Sequence, residues 1–292
     1  MTPEALAREI EDLIKSAEEI YSGRLVTIQN KLFNDLLVHY RQLDVDDDGF
    51  IRQTAENRRI VNASHDTFHK SLKESGYQTA LEKHLVVVNK INALNAAYFS
   101  GISDTFSPTR NFIKALQGEL ISNMNTFILS DGLQANVILP LNQILAQNIN
   151  TGGSFAGFIE QLKTYVTGNT NVQGKLLSYA RVYVSDALFN YSRSYQQAVT
   201  ADLGLEFYLY SGGLIDKSRE FCQERSGNFY HHKEIKQWAN LSWQGKNKLT
   251  TESSIFILAG GYKCGHSIIP VHASIVPDDV IQRNVQNGNY KT

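Results

Sequence analysis

The sequence predicts a mainly α protein, with a long-helix N-terminal domain over residues 1–204 and a small α+β C-terminal cassette with an extended tail over 205–292. Three observations predict it. Apolar residues recur at three-to-four spacing through most of the first two hundred positions. The period changes only after Gly204, where the runs Leu205–Tyr210, Ser254–Leu258 and Ser267–Val271 read as strands. The unusual residue types also gather beyond that point, since both cysteines, both tryptophans and four of the eight histidines lie between Tyr208 and His272.

The helices can be taken in order. Thr2-Pro3 is a start signal, because threonine caps and proline fits the first turn. Leu6, Ile10, Leu13, Ala17 and Ile20 then make one inward stripe, and a second helix carries Leu25, Ile28, Leu32, Leu36, Tyr40 and Leu43. Asp44–Gly49 breaks it. A third helix runs from about Thr54 to Ser75 and stops at Gly76. A fourth carries Leu81, Leu85, Val88, Ile91, Leu94 and Tyr98, and Ser107-Pro108 starts a fifth with Phe112, Leu116, Leu120 and Phe127 inward. Asp131-Gly132 and Pro140 mark a break. Ser154 caps the next helix, which ends at Gly168-Asn169, and a long one follows from about Val172 to Asp202.

Composition narrows the function classes. With 42% hydrophobic residues in 292, the chain has material for a packed core. A net charge of −1 and a pI near 6.7 disfavour a uniformly basic nucleic-acid binder. No apolar run is long enough to span a bilayer. The Met-Thr-Pro-Glu-Ala start is not that of a secretory signal, and two cysteines do not make a secreted disulfide framework, so production in a reducing cytoplasm is expected.

Cys222, Cys264 and His266 are the sharpest chemical set. Two thiols and an imidazole suit zinc, with His231 or His232 as the fourth ligand of a tetrahedral shell. The same residues also read as small buried hydrophobes, or as a disulfide in a particle that leaves the cytoplasm. Two enzymatic readings stand beside these. Cys222 with His266 or His232 and Asp216 could form a nucleophile, base and acid. A metal-independent nuclease could use His266 or His232 with Arg219 or Arg225 on phosphate. Asp44, Asp46 and Asp48 with Gly49 match the front of a calcium loop, but Ala55 stands where the bidentate glutamate belongs. The alternative there is an acidic turn between helices. His65 and His69 have the spacing of a zinc helix without its glutamate, and read as surface or groove residues.

The cassette resembles that of phage minor head proteins of the Mu F type, the phage head morphogenesis family. The resemblance rests on Asp216-x-x-Arg219-x-x-Cys222, then Gly227, Tyr230, Gly261-Tyr262-Lys263-Cys264-Gly265-His266 and Pro270-Val271. It extends upstream to Gly153-Ser154, Ala180-Arg181, Asp186, Asn190 and Arg193, and covers about residues 150–272. Many relatives have arginine where this chain has Gly265, so any role of that arginine does not carry over. The resemblance implies a virion protein of few copies, at the head interior or portal vertex, associated with the portal protein and other head proteins. It would act in head assembly or DNA delivery, with contact to packaged DNA, and pass through the host cytoplasm during assembly. It implies no enzymatic activity, the alternative being a nuclease or other enzyme delivered with the genome. The near-neutral charge fits a protein–protein role better than DNA packing.

Overall fold

In the computed structural model the described residues are 1–104, 106, 108 and 110–291, the side chain of Arg110 excepted. The chain is mainly α with a small antiparallel sheet in its C-terminal part. Helix α1 (Pro3–Tyr40) starts as expected, with Thr2 Oγ1 accepting from the Ala5 amide at 3.2 Å. It is one helix rather than two. Leu6, Ile10, Ile14, Tyr21, Leu25 and Ile28 form an unbroken helical stripe, and no proline interrupts it. The buried stripe therefore runs through Ile14 and Tyr21, and the expected Ile20 is 60% exposed.

Thr54 caps α2 (Ala55–Glu74), and Gly76 follows it at φ +76°. The expected fourth helix divides into α3 (Tyr77–Leu85) and α4 (Val87–Ser100). Ser107, the expected start of the fifth, lies outside the described residues; α5 covers Arg110–Met124. The expected break near Asp131 is milder than a loop. Two π-helical turns, Asn125–Leu129 and Gln134–Ile138, flank the single turn α6 (Asp131–Leu133), and Pro140 sits in the first turn of α7 (Leu139–Thr151), where its missing N–H is harmless. Ser154 caps α8 (Phe155–Thr167), Gly168 ends it at φ +81°, and α9 spans Lys175–Leu203.

The cassette begins with β1 (Phe207–Ser211) and α10 (Glu220–Arg225), followed by β2 (Phe229–His231) and α11 (His232–Gln237). It continues through α12 (Ile255–Leu258), β3 (Ser267–Val271) and α13 (Asp278–Gln286). Three expectations are corrected here. Ser254–Leu258 is a helical turn, not a strand: Ser254 and Thr251 bond each other's amides and start it, and a short apolar run carries no period that separates the two forms. The extended tail is instead helix α13, whose Val280 is buried. The domain boundary drawn at 204 follows the change in secondary structure, whereas the compact units divide elsewhere. One unit holds residues 1–16, 86–121 and 185–292, and the other 17–85 and 122–184. The cassette is therefore grouped with helical segments rather than standing alone, and α9 is hydrogen-bonded to it through Asp186 and Arg193.

The sheet has the order β2-β1-β3, antiparallel throughout, with Phe207 opposite His231 and Val271, and Tyr208 opposite Tyr230 and Pro270. Alternation sorts the side chains. Phe207, Leu209 and Val271 face Val276 and Val280 on one side, while Tyr208, Tyr210 and Ile268 face Phe221, Trp238 and the two cysteines on the other. Central strand β1 is thus buried on both faces, which is why its sequence reads as a continuous apolar run. Pro270 has no N–H to offer a further strand, so β3 is an edge. Its carbonyl accepts from Tyr98 Oη of α4 at 2.8 Å. Tyr98→Phe leaves that buried carbonyl short of its donor, and urea denaturation should show a loss of about 1–3 kcal/mol.

Candidate functional site

The aromatic face of the sheet carries the site. Cys222 comes from α10, and Cys264 and His266 from the turn entering β3. All three side chains are buried, and their ligand-type atoms lie within 4.8 Å of one another. Cys264 Sγ is 3.8 Å from His266 Nδ1. Tyr210 Oη donates to Cys222 Sγ at 3.3 Å and lies 3.9 Å from Cys264 Sγ, while its ring stacks on that of His266. Both cysteines are free thiols. The three residues converge because β3 pairs beside β1 and the Gly260–Tyr262 turn folds back over Cys222. Gly260 is required by contact: a Cβ there would lie 2.6 Å from Cys222 Sγ and 2.8 Å from Cys264 Sγ.

The turn is held under tension and clamped. Ala259 and Lys263 have φ of +45° and +56°, the two non-glycine residues with positive φ among those described. Helix α9 supplies the clamp from one face, at Asp186, Asn190 and Arg193, spaced four and three apart. The Asp186 carboxylate accepts from the Lys263 amide at 3.0 and 3.2 Å. Arg193 is buried and donates to the carbonyls of Ile257, at 3.0 Å, and of Cys264 and His266. Asn190 Oδ1 accepts from the same guanidinium at 3.3 Å.

This setting divides the two thiols. Cys222 is pushed up, first by the hydrogen bond it shares with Cys264 and then by burial. Cys264 is held well below the usual thiol range by the same bond, against burial and with help from His266 and Arg193. The two thiols therefore shift in opposite directions about the hydrogen bond they share. Burial keeps the Tyr210 phenol protonated, so it serves as a donor.

His232, the expected fourth ligand, is elsewhere. It forms a separate group with Glu206 and His231, in which Glu206 Oε1 is 3.7 Å from His231 Nε2 and 3.9 Å from His232 Nδ1. The reason is local: His231 closes β2 and caps α11, its Nδ1 accepting from the Lys233 amide at 3.3 Å while Glu234 accepts from the His231 amide at 2.8 Å. An Nδ1 that accepts leaves the neutral ring's proton on Nε2, facing Glu206 rather than offering a lone pair to a metal.

The other sequence candidates are placed as follows. Asp44, Asp46 and Asp48 do not converge. Asp46 Oδ1 accepts from the Asp48 and Phe50 amides at 3.1 and 2.8 Å, Asp44 pairs with Arg52 at 3.5 Å, and a Val45–Ile51 bridge closes the loop. Turn chemistry has taken the carboxylate a calcium ion would need. Asp216 is exposed, and His266 Nε2 has no hydrogen-bond partner, so no acid orients that imidazole. Arg219 donates to the Tyr262 carbonyl, and Arg225 lies over the Phe221 and Trp238 rings at 4.0 and 5.0 Å. His65 bonds Gln134 at 3.1 Å, with its ring 4.5 Å from that of His69. Tyr210 was not singled out as a site residue, because it is hidden in an apolar run, whereas the Gly260-Gly261 pair was a legible sign of close approach.

Comparison with protein-family models, curated proteins and solved structures finds no match.

Two consequences can be measured. Gly260→Ala forces a methyl into the sulfurs, and thermal unfolding should show a loss of at least about 1–3 kcal/mol. Burial holds the fully buried His231 at about 4. Below its unfolded value near 6.5 the unfolded ring takes a proton that the folded ring refuses until about pH 4, so stability falls as pH falls through that window. Urea midpoints measured between pH 7 and 4 should fall less steeply in His231→Asn, which keeps a capping side chain and does not titrate.

Proposed function

We propose that this chain is a minor head component of a phage virion, associated with the portal protein and acting in head assembly or DNA delivery. One observation carries the reading. The residues of the resemblance, widely separated in sequence, act on one another: Asp186, Asn190 and Arg193 clamp the turn that brings Cys264 and His266 to Cys222. That these positions form one packed unit supports the reading that they belong to one architectural motif. The fold then supports the family's role by analogy, as a virion constituent that meets the portal and other head proteins and lies near the packaged DNA.

The rival is an enzyme delivered with the genome. The buried Cys264 and His266, the missing orienting acid and the arginines engaged in packing all favour a non-enzymatic role. Quantitative mass spectrometry of purified particles separates the two. The expected result is the intact chain in particles, far below the major head protein in copy number and enriched with portal-containing fractions. Absence from particles overturns the proposal. A nuclease activity of the pure chain that disappears in His266→Ala turns the reading to the enzyme.

A further inference from the structure

We infer that Cys222, Cys264 and His266 bind a single soft divalent cation, with zinc the ion their donor set fits. Four features of the structure carry this beyond the proposed virion role, on which it does not depend. The first is geometry. Ligands at about 2.3 Å for sulfur and 2.0 Å for nitrogen around a tetrahedral ion stand roughly 3.5–3.8 Å apart. The Cys264 Sγ to His266 Nδ1 separation is 3.8 Å, and all three donor atoms fall within 4.8 Å. Small rotamer shifts close such a site without moving the backbone.

The second is the setting of the imidazole: His266 is buried, and its Nδ1 faces only the Cys264 sulfur. The third is donor chemistry: two sulfurs and an imidazole select zinc over calcium or magnesium, and the nearby carboxylate of Asp186 is engaged by the Lys263 amide. The fourth is support around the donors. Arg193 fixes the carbonyls of both Cys264 and His266, Tyr210 bonds the Cys222 sulfur, and Gly260 lays bare backbone over both sulfurs. The protonated Tyr210 hydroxyl, which lies against both sulfurs, supports them as a donor and leaves the fourth corner to an exogenous ligand. Bound there, the ion ties α10 to the head of β3 and acts as a staple for the cassette.

The experiment is metal analysis of the full chain, expressed in zinc-supplemented medium and purified without chelator. About one zinc per chain is expected, falling to below about 0.1 in Cys222→Ser and Cys264→Ser and unchanged in His232→Ala. Those serine variants can fail to fold, so the wild-type chain stripped by chelator is also titrated with cobalt. A thiolate-to-cobalt charge-transfer band saturating at one equivalent, with a higher melting temperature on adding zinc, is the expected result. A folded chain that takes up neither metal overturns the inference. So does a Cys222–Cys264 disulfide in the chain as purified, or zinc that is lost with His232→Ala and kept with Cys264→Ser.

Discussion

The cassette depends on one buried cation. The Arg193 guanidinium is 2% exposed and carries its charge into the protein interior. Taking such a group out of water costs several kcal/mol unless its donors are met. Both terminal nitrogens are met, by the carbonyls of Ile257, Cys264 and His266 and by Asn190 Oδ1, while Nε has no partner; the carbonyls are supplied only if the chain from α12 to β3 folds tightly against α9. The positive-φ backbone at Ala259 and Lys263 lies in the segment so held, while the glycine at 260 answers to the two sulfurs. Arg193 also adds to the lowering of Cys264, behind the hydrogen bond from Cys222 and that to His266.

Much of this was legible in the sequence, in proportion to how local its causes are. Helix starts at Pro3, Ala55 and Phe155 were read from Thr2, Thr54 and Ser154, because a cap is a property of neighbouring residues. Strands β1 and β3 were read from their apolar runs. The three-residue strand β2 was not, since Phe229–His231 is too short to show a period. The same shortness misled at Ser254–Leu258, where four apolar residues following a Thr251–Ser254 cap form a helical turn.

Placement of the site was legible only in part. Cys264 and His266 are two residues apart, so their proximity is nearly local, and Cys222 follows once β1 and β3 pair. His232 failed as the fourth ligand because capping and β-pairing of His231 face this pair toward Glu206. Composition gives no sign of that competition. Asp46 likewise has two uses open to a carboxylate in such a loop, and here its Oδ1 accepts from the Asp48 and Phe50 amides of the turn. Sequence reasoning identifies donors well, and it cannot tell which acceptor reaches each one first.

The sheet explains why the sulfurs and the histidine pair end up on different sides. Alternation along β1 sends Phe207 and Leu209 to one face and Tyr208 and Tyr210 to the other. His231 lies opposite Phe207 and shares its side, against Tyr290. Cys222, Cys264 and Ile268 share the side of Tyr210. A strand one residue out of register would exchange the two sets and bring the phenol out of contact with the sulfurs. Register is fixed by the two buried faces themselves, since a slip would turn both apolar sets out of their cores. The Tyr98 hydroxyl meets the Pro270 carbonyl on the outer edge of β3, so a helix far upstream in the chain braces the strand that leads out of the site, and the cassette's chemistry belongs to the whole compact unit rather than to the cassette alone.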